Sequence, residues 1–469
     1  MKIQLIRYHD IGNVNSRLAP SLNKRQGVLP PLGLAYIAAA LEQAGHQVDL
    51  VDAIALELSP EALRARIRSF APRVVGVTAM TPTFRGALAA AEMAKQAGAI
   101  TVMGGVHLSL YPKETLSHPC IDYGVLGEGE ESMVELCNAL EQQRPVDDIA
   151  GIACKKNGQI IVGSPRIVED VNTLPMPAYH LLPMHAYRSI IGKKVVSSIM
   201  GSRGCPYRCS FCYKTPSDKR YRHRSAENIV TEMEYLIQHH GVLEVMFYDD
   251  LMTPSYVTAL CNEIVRRGVK IAWQTPQRVD LVRQATLPLM AAAGCHLLRL
   301  GVEQGDPEMM RRIDKKITLE QVRKVFQWVH AAHIDTFAYF MIGYPGETPE
   351  SMEKTIRLAR ELDPEFVMFT RTVPLPDTPL MQQAVDLGVV AADYWQRFTL
   401  GEEMPPIPPL VPHADAFVKK AYRAFYLRPG YILKQLKKMQ NMDDLKKNIS
   451  GLFGLLEQRF ACWRGGSGT

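Results

Sequence analysis

The feature that most constrains the fold of this chain is a pair of successive series in which strand-like segments alternate with helix-like segments. The first series contains five apolar, strand-like runs: Lys2–Arg7, Val48–Val51, Val74–Thr78, Ile100–Met103 and Tyr123–Leu126. Strands that alternate with helices favour a parallel sheet covered by helices on both faces. Ligands of such sheets bind beyond the carboxyl ends of the strands. We therefore predict a doubly wound, Rossmann-like α/β domain.

A second alternating series runs from about residue 194 to residue 378. Its six strand-like segments are Val195–Met200, Glu244–Tyr248, Lys270–Gln274, Leu297–Val302, Phe337–Ile342 and Phe366–Phe369. Six βα units predict a partial (βα)6 TIM-type barrel, and the chemistry of such barrels gathers at the carboxyl ends of the strands.

These patterns divide the chain into five expected parts. We expect the first α/β domain in residues 1–140, a connector with few periodic patterns in 141–192 and the barrel in 193–380. A helical, basic C-terminal region is expected in 381–464 and a flexible tail in 465–469.

Composition narrows the class of protein. The 469 residues include nine cysteines, six of them scattered singly, which does not resemble a disulfide framework. The N-terminus lacks a signal-peptide pattern and no run of 18 apolar residues occurs, so we expect a cytoplasmic protein.

The positive charge is concentrated near the C-terminus. The formal net charge is +6, but residues 418–464 hold eleven Lys or Arg against three Asp or Glu. This basic stretch is interpreted either as a solvated lysine face or as a surface for anionic lipid or an anionic substrate, with peripheral contact at the inner membrane face. Without a basic platform interleaved with aromatic residues, nucleic acid is not an expected partner.

Three cysteines follow the first strand of the second series. Cys205, Cys209 and Cys212 have the spacing C-x3-C-x2-C. Thiolates select iron–sulfur clusters or zinc, and structural zinc requires four ligands. A cubane held by three thiolates leaves one iron open to an outside ligand. The alternatives are a zinc site completed by His223 and three structural cysteines.

The region from Val195 to Thr378 resembles the radical S-adenosylmethionine (SAM) superfamily. The resemblance rests on the aromatic Phe211 before the last cysteine, on RHRSAE at 222–227, and on the strand-end sequences FYDD at 247–250, GVEQG at 301–305, GYPGET at 343–348 and PLPDTPL at 374–380. It implies that a [4Fe–4S] cluster on the three cysteines binds SAM and cleaves it reductively to a 5′-deoxyadenosyl radical.

The resemblance also implies roles for carboxylates at the strand ends. Asp249 and Asp250 are the catalytic candidates, which hold the methionine amine of SAM or touch the substrate; the alternative is a helix N-cap before Thr253. Glu303 is expected to accept the ribose hydroxyls of SAM, with an ion pair to Arg299 as the alternative.

Five further residues are cofactor-binding candidates in the barrel. Arg278 and Gln274 are expected to face the mouth from the third strand. Tyr207 and Phe211 belong to the cysteine motif, and Gly343 shapes the loop that receives adenine.

The first domain resembles the cobalamin-binding domains that are fused to radical SAM barrels. The matching segments are PPLGLAYIAAAL at 30–41, GGVH at 104–107 and GEGEE at 127–131. The implied cofactor-binding residues are Thr78, Gly104, Gly105, His107, Gly127 and Glu128. The alternative is a degenerate domain that only packs on the barrel.

A departure from a known motif bears on whether a histidine of this chain binds cobalt as an axial ligand. Cobalamin domains of the methionine synthase type use D-x-H-x-x-G, whereas this chain has Arg7 where the Asp belongs, followed by His9 and Gly12. Without the carboxylate that orients the imidazole, we do not expect His9 to bind cobalt.

Together, the two resemblances imply a cobalamin-dependent radical SAM methyltransferase. Such an enzyme methylates an unactivated carbon of a small-molecule or lipid-like substrate through methylcobalamin, with electrons from an external donor of the flavodoxin or ferredoxin type. The nearest alternative is an oxidative cyclase or other radical rearrangement, as in the anaerobic magnesium-protoporphyrin monomethyl ester cyclases. A tRNA methylthiotransferase would need a second cluster, for which Cys120, Cys137 and Cys154 are too scattered. A non-enzymatic cobalamin carrier is the remaining alternative.

Overall fold

The first domain is built on a seven-stranded sheet. The computed structural model describes residues 1–8, 27–189, 195–215 and 219–438. The strands of this sheet are β1 (Lys2–Arg7), β2 (Gln47–Asp52), β3 (Val74–Thr78), β4 (Ile100–Gly104), β5 (Tyr123–Val125), β6 (Ile152–Lys156) and β7 (Gln159–Val162). Their order is β2-β1-β3-β4-β5-β6-β7, and β1 to β5 are parallel. The five predicted strands and the doubly wound fold are confirmed.

Helices cover this sheet and leave a crevice at its carboxyl edge. They are α1 (Leu32–Gln43), α2 (Pro60–Phe70), α3 (Phe84–Gln96), α4 (Val106–Leu110), α5 (Pro112–Ser117) and α6 (Gly129–Glu141). Strand β1 pairs with β2 on one side and β3 on the other, so the strand order reverses beside β1. Such a reversal opens a crevice at the carboxyl ends of the strands.

The segment expected to be a plain connector contributes to this sheet. Strands β6 and β7 form an antiparallel hairpin, and β6 pairs with β5. Asn157 and Gly158 form the turn, both with positive φ, as a two-residue hairpin requires. The expectation of a plain connector is therefore wrong for residues 152–162.

The second domain is a half-barrel of six parallel strands. They are β8 (Val196–Ile199), β11 (Glu244–Phe247), β12 (Ala272–Arg278), β13 (Cys295–Glu303), β14 (Asp335–Ile342) and β15 (Phe366–Arg371), in sequential spatial order. A two-stranded ribbon, β9 (Ser202–Arg203) and β10 (Arg222–His223), lies at its mouth. The outer helices are α7 (Ala226–His240), α8 (Pro254–Arg267), α9 (Leu287–Ala292), α10 (Pro307–Arg312), α11 (Leu319–Ala331) and α12 (Pro349–Leu362). The predicted partial barrel is confirmed.

Among the described residues that follow the barrel, the helices are α13 (Pro379–Asp386), α14 (Tyr394–Thr399), α15 (Ala414–Tyr426) and α16 (Pro429–Lys438). Helix α15 covers the edge strand β15, where Tyr422 and Tyr426 hydroxyls accept hydrogen bonds from the backbone N–H groups of Phe369 and Val367. An edge strand paired in this way no longer offers free backbone groups to other chains. In the part of the chain that the structure describes, no helix is long and apolar enough to cross a membrane.

Candidate active site

The cysteine loop lies at the mouth of the half-barrel, directly after β9. Cys205 is buried, Cys209 is half-buried and Cys212 is exposed. The Lys214 ammonium donates to the carbonyls of Cys205 (2.8 Å) and Tyr207 (2.5 Å), which closes the loop on itself. The backbone of Ser210 bonds to Ile313 and Leu380, so the loop is anchored on both sides.

Arg278 connects this loop to the barrel wall. Its guanidinium lies 3.5 Å from the Cys209 Sγ and 3.5 Å from the centre of the Tyr207 ring. It also donates to Asp280 and, at 2.6 Å, to the carbonyl of Lys315. The structure thus brings Arg278 and Tyr207 to the predicted mouth; Phe211 packs against the core beside them.

The assignment of the three thiols to a cluster rests on their spacing and on the single loop that carries them. Among the described residues, no three His, Cys, Asp or Glu side chains lie close enough together to hold a metal ion. His223, the fourth ligand of the zinc alternative, contacts the Tyr256 ring instead. Solvent reaches Cys212, yet the surrounding protein desolvates its thiol and raises the pKa to about 11. Three thiols on one loop, with thiolates to be stabilised, fit a polynuclear iron–sulfur centre.

Asp249 supports the strand end that precedes the cysteine loop. Its Oδ1 accepts backbone N–H groups from Gly201 (2.8 Å) and Ser202 (2.5 Å), while its buried Oδ2 has no hydrogen-bond partner. Burial raises its pKa to about 7, against the opposing effect of these hydrogen bonds. Helix α8 is capped by Thr253, so Asp249 is not the N-cap of the alternative interpretation. Asp250, its neighbour, lines the cavity described below.

Glu347 repeats this arrangement at the end of β14 and was not among the predicted residues. Its Oε2 accepts N–H groups from Gly343 (2.5 Å) and Tyr344 (2.8 Å), and its buried Oε1 has no partner. Burial raises its pKa to about 7. Gly343 has φ of +92°, and a Cβ there would lie 2.7 Å from Ala414, so the turn requires glycine.

Glu303 is at the predicted strand end, with a different partner from the expected one. It pairs with the Lys315 ammonium at 2.5 Å, and Lys315 also donates to the Gly301 carbonyl. Arg299, the partner in the alternative interpretation, donates to Gln274 instead. The loop between α10 and α11 brings Lys315 back to the end of β13, which sequence separation does not reveal.

Gln274 does not share the mouth with Arg278. Its amide is fully buried, donates to the Glu244 carboxylate at 2.5 Å and accepts from Arg299 at 2.7 Å. Both residues lie on β12, but four residues of strand separate them by ~13 Å along the barrel axis. The expected placement of Gln274 at the mouth is therefore wrong, because alternation fixes the face of a strand residue and not its depth.

A cavity of about 320 Å³ lies between the first domain and the barrel mouth. Its first-domain wall contains Thr78, Gly104, Gly105, Gly127 and Glu128, and its barrel wall contains Ser202, Arg203, Gly204, Tyr248 and Asp250. It continues as a slot between the sheet and helices α1 and α6, past Leu5, Gly76 and Met133. The predicted glycines therefore line one cavity.

The polar groups of the cavity wall fit a macrocycle that carries amide groups at its edge. Glu130 Oε2 and Arg203 Nε are buried without a hydrogen-bond partner, and both residues line the cavity. Buried polar atoms of this kind are normally satisfied. A corrin ring carries amide groups that both donate and accept, so a corrin bound here would offer partners to Glu130 and Arg203. A Cβ on Gly33 meets no atom within 4 Å, which leaves room at the start of α1.

His107 does not line this cavity, in contrast to the prediction. Its ring is fully buried, with Nδ1 3.2 Å from the Thr81 hydroxyl and Nε2 3.1 Å from the Thr399 hydroxyl. Burial lowers its pKa to about 3, and the charge of His118 adds to this effect. His107 therefore links the first domain to α14. The turn at Gly105 directs its side chain away from the crevice.

The end of β1 carries an ion pair at the position where cobalamin domains of the methionine synthase type have an aspartate. Arg7 forms two hydrogen bonds with Asp52, at 2.9 and 2.6 Å, and Tyr187 donates to the same carboxylate. The Arg7 guanidinium is therefore bound within the sheet by Asp52. His9 lies outside the described residues, and its predicted absence from cobalt stays a prediction.

Buried ion pairs join the cavity loops to the cysteine loop. Glu130 pairs with Arg203 at 2.5 Å, and Glu128 pairs with Arg222 at 2.7 Å. Burial opposes the effect, but the Arg222 and Arg203 guanidiniums hold the pKa of Glu128 below its usual range. Arg203 precedes Cys205 by two residues, so the first domain contacts the root of the cysteine loop directly.

Two family models match the chain in the order of these domains. Residues 20–137 match the B12 binding domain, and residues 199–359 match the radical SAM superfamily. An uncharacterized methyltransferase of Pyrococcus horikoshii is 32% identical over 437 residues, covering 92% of this chain and 94% of that protein. The chain belongs to the cobalamin-binding radical SAM family of enzymes.

Another relative and a solved structure extend the comparison. The anaerobic magnesium-protoporphyrin IX monomethyl ester cyclase of Rubrivivax gelatinosus is 32% identical, covering 77% of this chain and 67% of that protein. The radical SAM methyltransferase TsrM from Kitasatospora setae, solved with cobalamin and a [4Fe-4S] cluster, has a TM-score of 0.66 at 22% identity, covering 83% and 75% of the two chains. The latter similarity supports the fold.

Membership of this radical SAM family confirms several predictions. The protein is an enzyme, and its cofactors are a [4Fe–4S] cluster, SAM and cobalamin, as expected. As a radical SAM enzyme, it requires an electron donor. The carrier and methylthiotransferase alternatives are not supported, and Cys120, Cys137 and Cys154 are buried in the first domain.

Proposed function

We propose that this enzyme transfers a methyl group from SAM to an unactivated carbon of a small-molecule or lipid-like substrate, using cobalamin. The observation that carries the proposal is the shared cavity, whose walls come from the cobalamin-binding loops on one side and from Ser202, Tyr248 and Asp250 on the other. A corrin held in this cavity would adjoin the barrel mouth, where the substrate would be bound.

The cofactors supply the reactive chemistry, and the chain positions them. When bound, the cluster and SAM supply a radical that removes a hydrogen atom, and cobalamin supplies a methyl group that a carbon radical can accept. In this proposal, Cys205, Cys209 and Cys212 hold the cluster, while Arg278 and Tyr207 cover one side of it.

The remaining mouth residues are proposed to position SAM and the corrin. Glu303, held by Lys315, receives the ribose hydroxyls, and the turn at Gly343 receives adenine. Asp250 contacts the methionine amine or the substrate, while Asp249 holds the strand end. Thr78 and the glycines of the first domain, Gly104, Gly105 and Gly127, contact the corrin.

Oxidative ring formation is the second candidate function. The cyclase of Rubrivivax gelatinosus has the same sequence identity to this chain as the Pyrococcus methyltransferase, 32%, over 373 residues against 437. Both reactions would use the same two cofactors, and they differ in the fate of the methyl group of SAM.

That difference provides the test. The reconstituted, reduced enzyme is incubated anaerobically with SAM that carries a deuterated methyl group, and the label is followed by mass spectrometry. Label recovered with the corrin supports methyl transfer. Label found only in methionine, with 5′-deoxyadenosine formed in equal amount, contradicts methyl transfer and favours the cyclase.

The proposed setting is cytoplasmic, with a flavodoxin- or ferredoxin-type donor and peripheral contact at the inner membrane face. Supporting the membrane contact, α16 exposes Ile432 and Leu433 beside Lys434, and Arg423 and Leu427 are exposed nearby. The rest of the basic stretch, from residue 439, lies outside the described residues. Co-sedimentation with phosphatidylglycerol vesicles but not with phosphatidylcholine vesicles would support this contact; equal sedimentation with both would contradict it.

A further inference from the structure

The concave face of the half-barrel, below the cysteine loop, holds a cation that the proposed chemistry does not use. Alternation along β13 and β14 directs Leu298, Leu300 and Phe340 into the core under the helices. The opposite face carries Arg299 and Tyr339, both half-buried. The neighbouring edge strand adds Met368, which is 38% exposed, so this face is open to a ligand.

Arg299 is held in place without a carboxylate partner. Its Nε donates to the Gln274 Oε1 at 2.7 Å, its guanidinium lies 5.7 Å from the centre of the Phe337 ring, and the Tyr339 hydroxyl is 3.5 Å away. Within the described ranges, no acidic side chain lies within 4.0 Å of it. The other buried arginines near the mouth, Arg203, Arg222 and Arg224, each pair with a glutamate.

The carboxylate of Glu244 contacts Arg299 only through Gln274, and this arrangement fixes the arginine. Glu244 accepts from Gln274 Nε2 at 2.5 Å and from His296 Nε2 at 2.8 Å. Because the amide N–H2 of Gln274 must face Glu244, its oxygen faces Arg299. Arg299 has five N–H donors and uses one on that oxygen and one, on Nη1, on the Tyr339 hydroxyl at 3.5 Å. The other three N–H groups of its terminal nitrogens are left for a ligand.

The position of Arg299 suits a substrate whose reacting carbon lies near SAM. Arg278, which contacts the Cys209 sulfur, pairs in register with Gly301, and Arg299 precedes Gly301 by two residues. Two residues of strand place Arg299 ~7 Å below the level of the cysteine loop. Tyr248, 67% exposed, stands between this face and the cavity shared with the first domain.

We infer that Arg299 binds a carboxylate of the substrate, whose apolar body lies against Phe337, Tyr339 and Met368. This inference rests on the proposed function and names the substrate class: an apolar or aromatic carboxylic acid. A carboxylate matches the fork of a single guanidinium. A dianionic phosphate would require a second cation. Lys315, close to the mouth, does not meet this requirement because Glu303 neutralises its charge.

A binding experiment on the holoenzyme tests this inference without requiring turnover. Benzoate and its neutral counterpart benzyl alcohol are titrated by saturation-transfer difference NMR, with the cluster oxidised. The wild type is expected to bind benzoate at least about tenfold more tightly than benzyl alcohol. Arg299→Gln is expected to abolish this preference and to leave benzyl alcohol binding unchanged.

Two further variants make the result specific. Arg323→Gln removes an exposed arginine that pairs with Glu361 on the outer helices, and it should keep the full preference. Arg299→Lys keeps the charge but loses the planar fork, so it should bind benzoate severalfold more weakly; it also serves if Arg299→Gln does not fold.

Three outcomes would overturn the inference. They are a wild type without a preference for benzoate, a preference that survives in Arg299→Gln, and unchanged benzoate affinity in Arg299→Lys. Because binding is measured without methyl transfer, failure here is distinguishable from failure of the deuterium-labelling test.

Discussion

At the scale of single residues, two buried carboxyl groups have a structural role, because they bind the backbone at strand ends and not the reacting atoms. Asp249 binds the N–H groups that follow β8, and Glu347 binds those that follow β14. Each uses one oxygen for two backbone donors and leaves the other buried without a partner. Burial raises both pKa values to about 7, so both groups titrate near neutral pH.

The free energy of unfolding should therefore depend on pH through Glu347. Its pKa is about 7 when folded, against 4.5 for the ordinary group. Between these values the folded state keeps a proton that the unfolded state loses, so stability falls as pH rises from 4.5 to 7. A shift of this size corresponds to about 3 kcal/mol. Glu347→Gln keeps the acceptor oxygen, and its thermal unfolding should be less pH-dependent.

Glu350→Gln on the same helix is the matched control. Glu350 is exposed, and hydrogen bonds with Thr348 and with its own backbone hold its pKa below the usual range. This change should therefore leave the pH dependence between pH 4.5 and 7 as it is in the wild type. A wild-type dependence that persists in Glu347→Gln would contradict the assignment.

The sequence predicts some of these residues and not others, for physical reasons. The three cysteines are close in sequence and belong to one loop, so their spacing alone reveals them. Glu303 and Lys315 meet only because a loop returns to the strand end. Glu347 was within a quoted motif, but its role depends on the backbone N–H groups that the turn at Gly343 leaves free.

At the scale of secondary-structure elements, the pair Glu130–Arg203 connects α6 to β9. Replacing Glu130 leaves Arg203 with only its longer contact to Glu128, at 3.4 Å. Loss of one partner of a buried pair typically costs about 3–5 kcal/mol, and the remaining contact should reduce that cost. We expect Glu130→Gln to lower the melting temperature and to weaken cobalamin retention in gel filtration, since both residues line the cavity. The double variant Glu130→Gln/Arg203→Met should recover part of the lost stability.

The exposed pair Arg220–Glu169 is the control for this prediction. Because surface pairs contribute at most about 1 kcal/mol, Arg220→Met should change neither measurement appreciably. Equal effects of Arg220→Met and Glu130→Gln would show that burial of the pair is not what matters.

Gly104, at the end of β4, allows the cavity itself to be tested. A Cβ at this position makes only ordinary contact, 3.8 Å from the Val125 carbonyl, so a larger residue should fold. Gly104→Val fills space that the corrin is proposed to take. We expect at least about a tenfold loss of cobalamin affinity, by absorbance titration, with iron content unchanged. Unchanged affinity would exclude this wall from the corrin site.

The elements themselves were largely predictable, with one instructive exception. Parallel strands such as β3 are buried on both faces and appear as continuous apolar runs. The hairpin of β6 and β7 has exposed ends and less apolar strands, so periodicity missed it. The Asn157-Gly158 pair is a hairpin signal that could have revealed it.

At the scale of the whole molecule, three parts of the chain are joined, and two of them enclose the cavity. The first domain contributes its glycine loops and the barrel contributes the residues before the cysteine loop. Helix α14 contacts His107 of α4 through Thr399. Composition and motif order predict the three parts. Their contacts arise between residues more than 70 positions apart, such as Glu130 and Arg203, and no local pattern encodes them.

The most direct test of the central claim is the cofactor content after anaerobic reconstitution with iron, sulfide and hydroxocobalamin, followed by gel filtration. The two-cofactor assignment predicts about four irons per chain, as a [4Fe–4S] cluster requires, and about one corrin. The variant Cys205→Ala/Cys209→Ala/Cys212→Ala should lose the iron and keep the corrin. Four irons without retained corrin in the wild type would contradict the assignment of the shared cavity to cobalamin and, with it, the proposed methyl transfer.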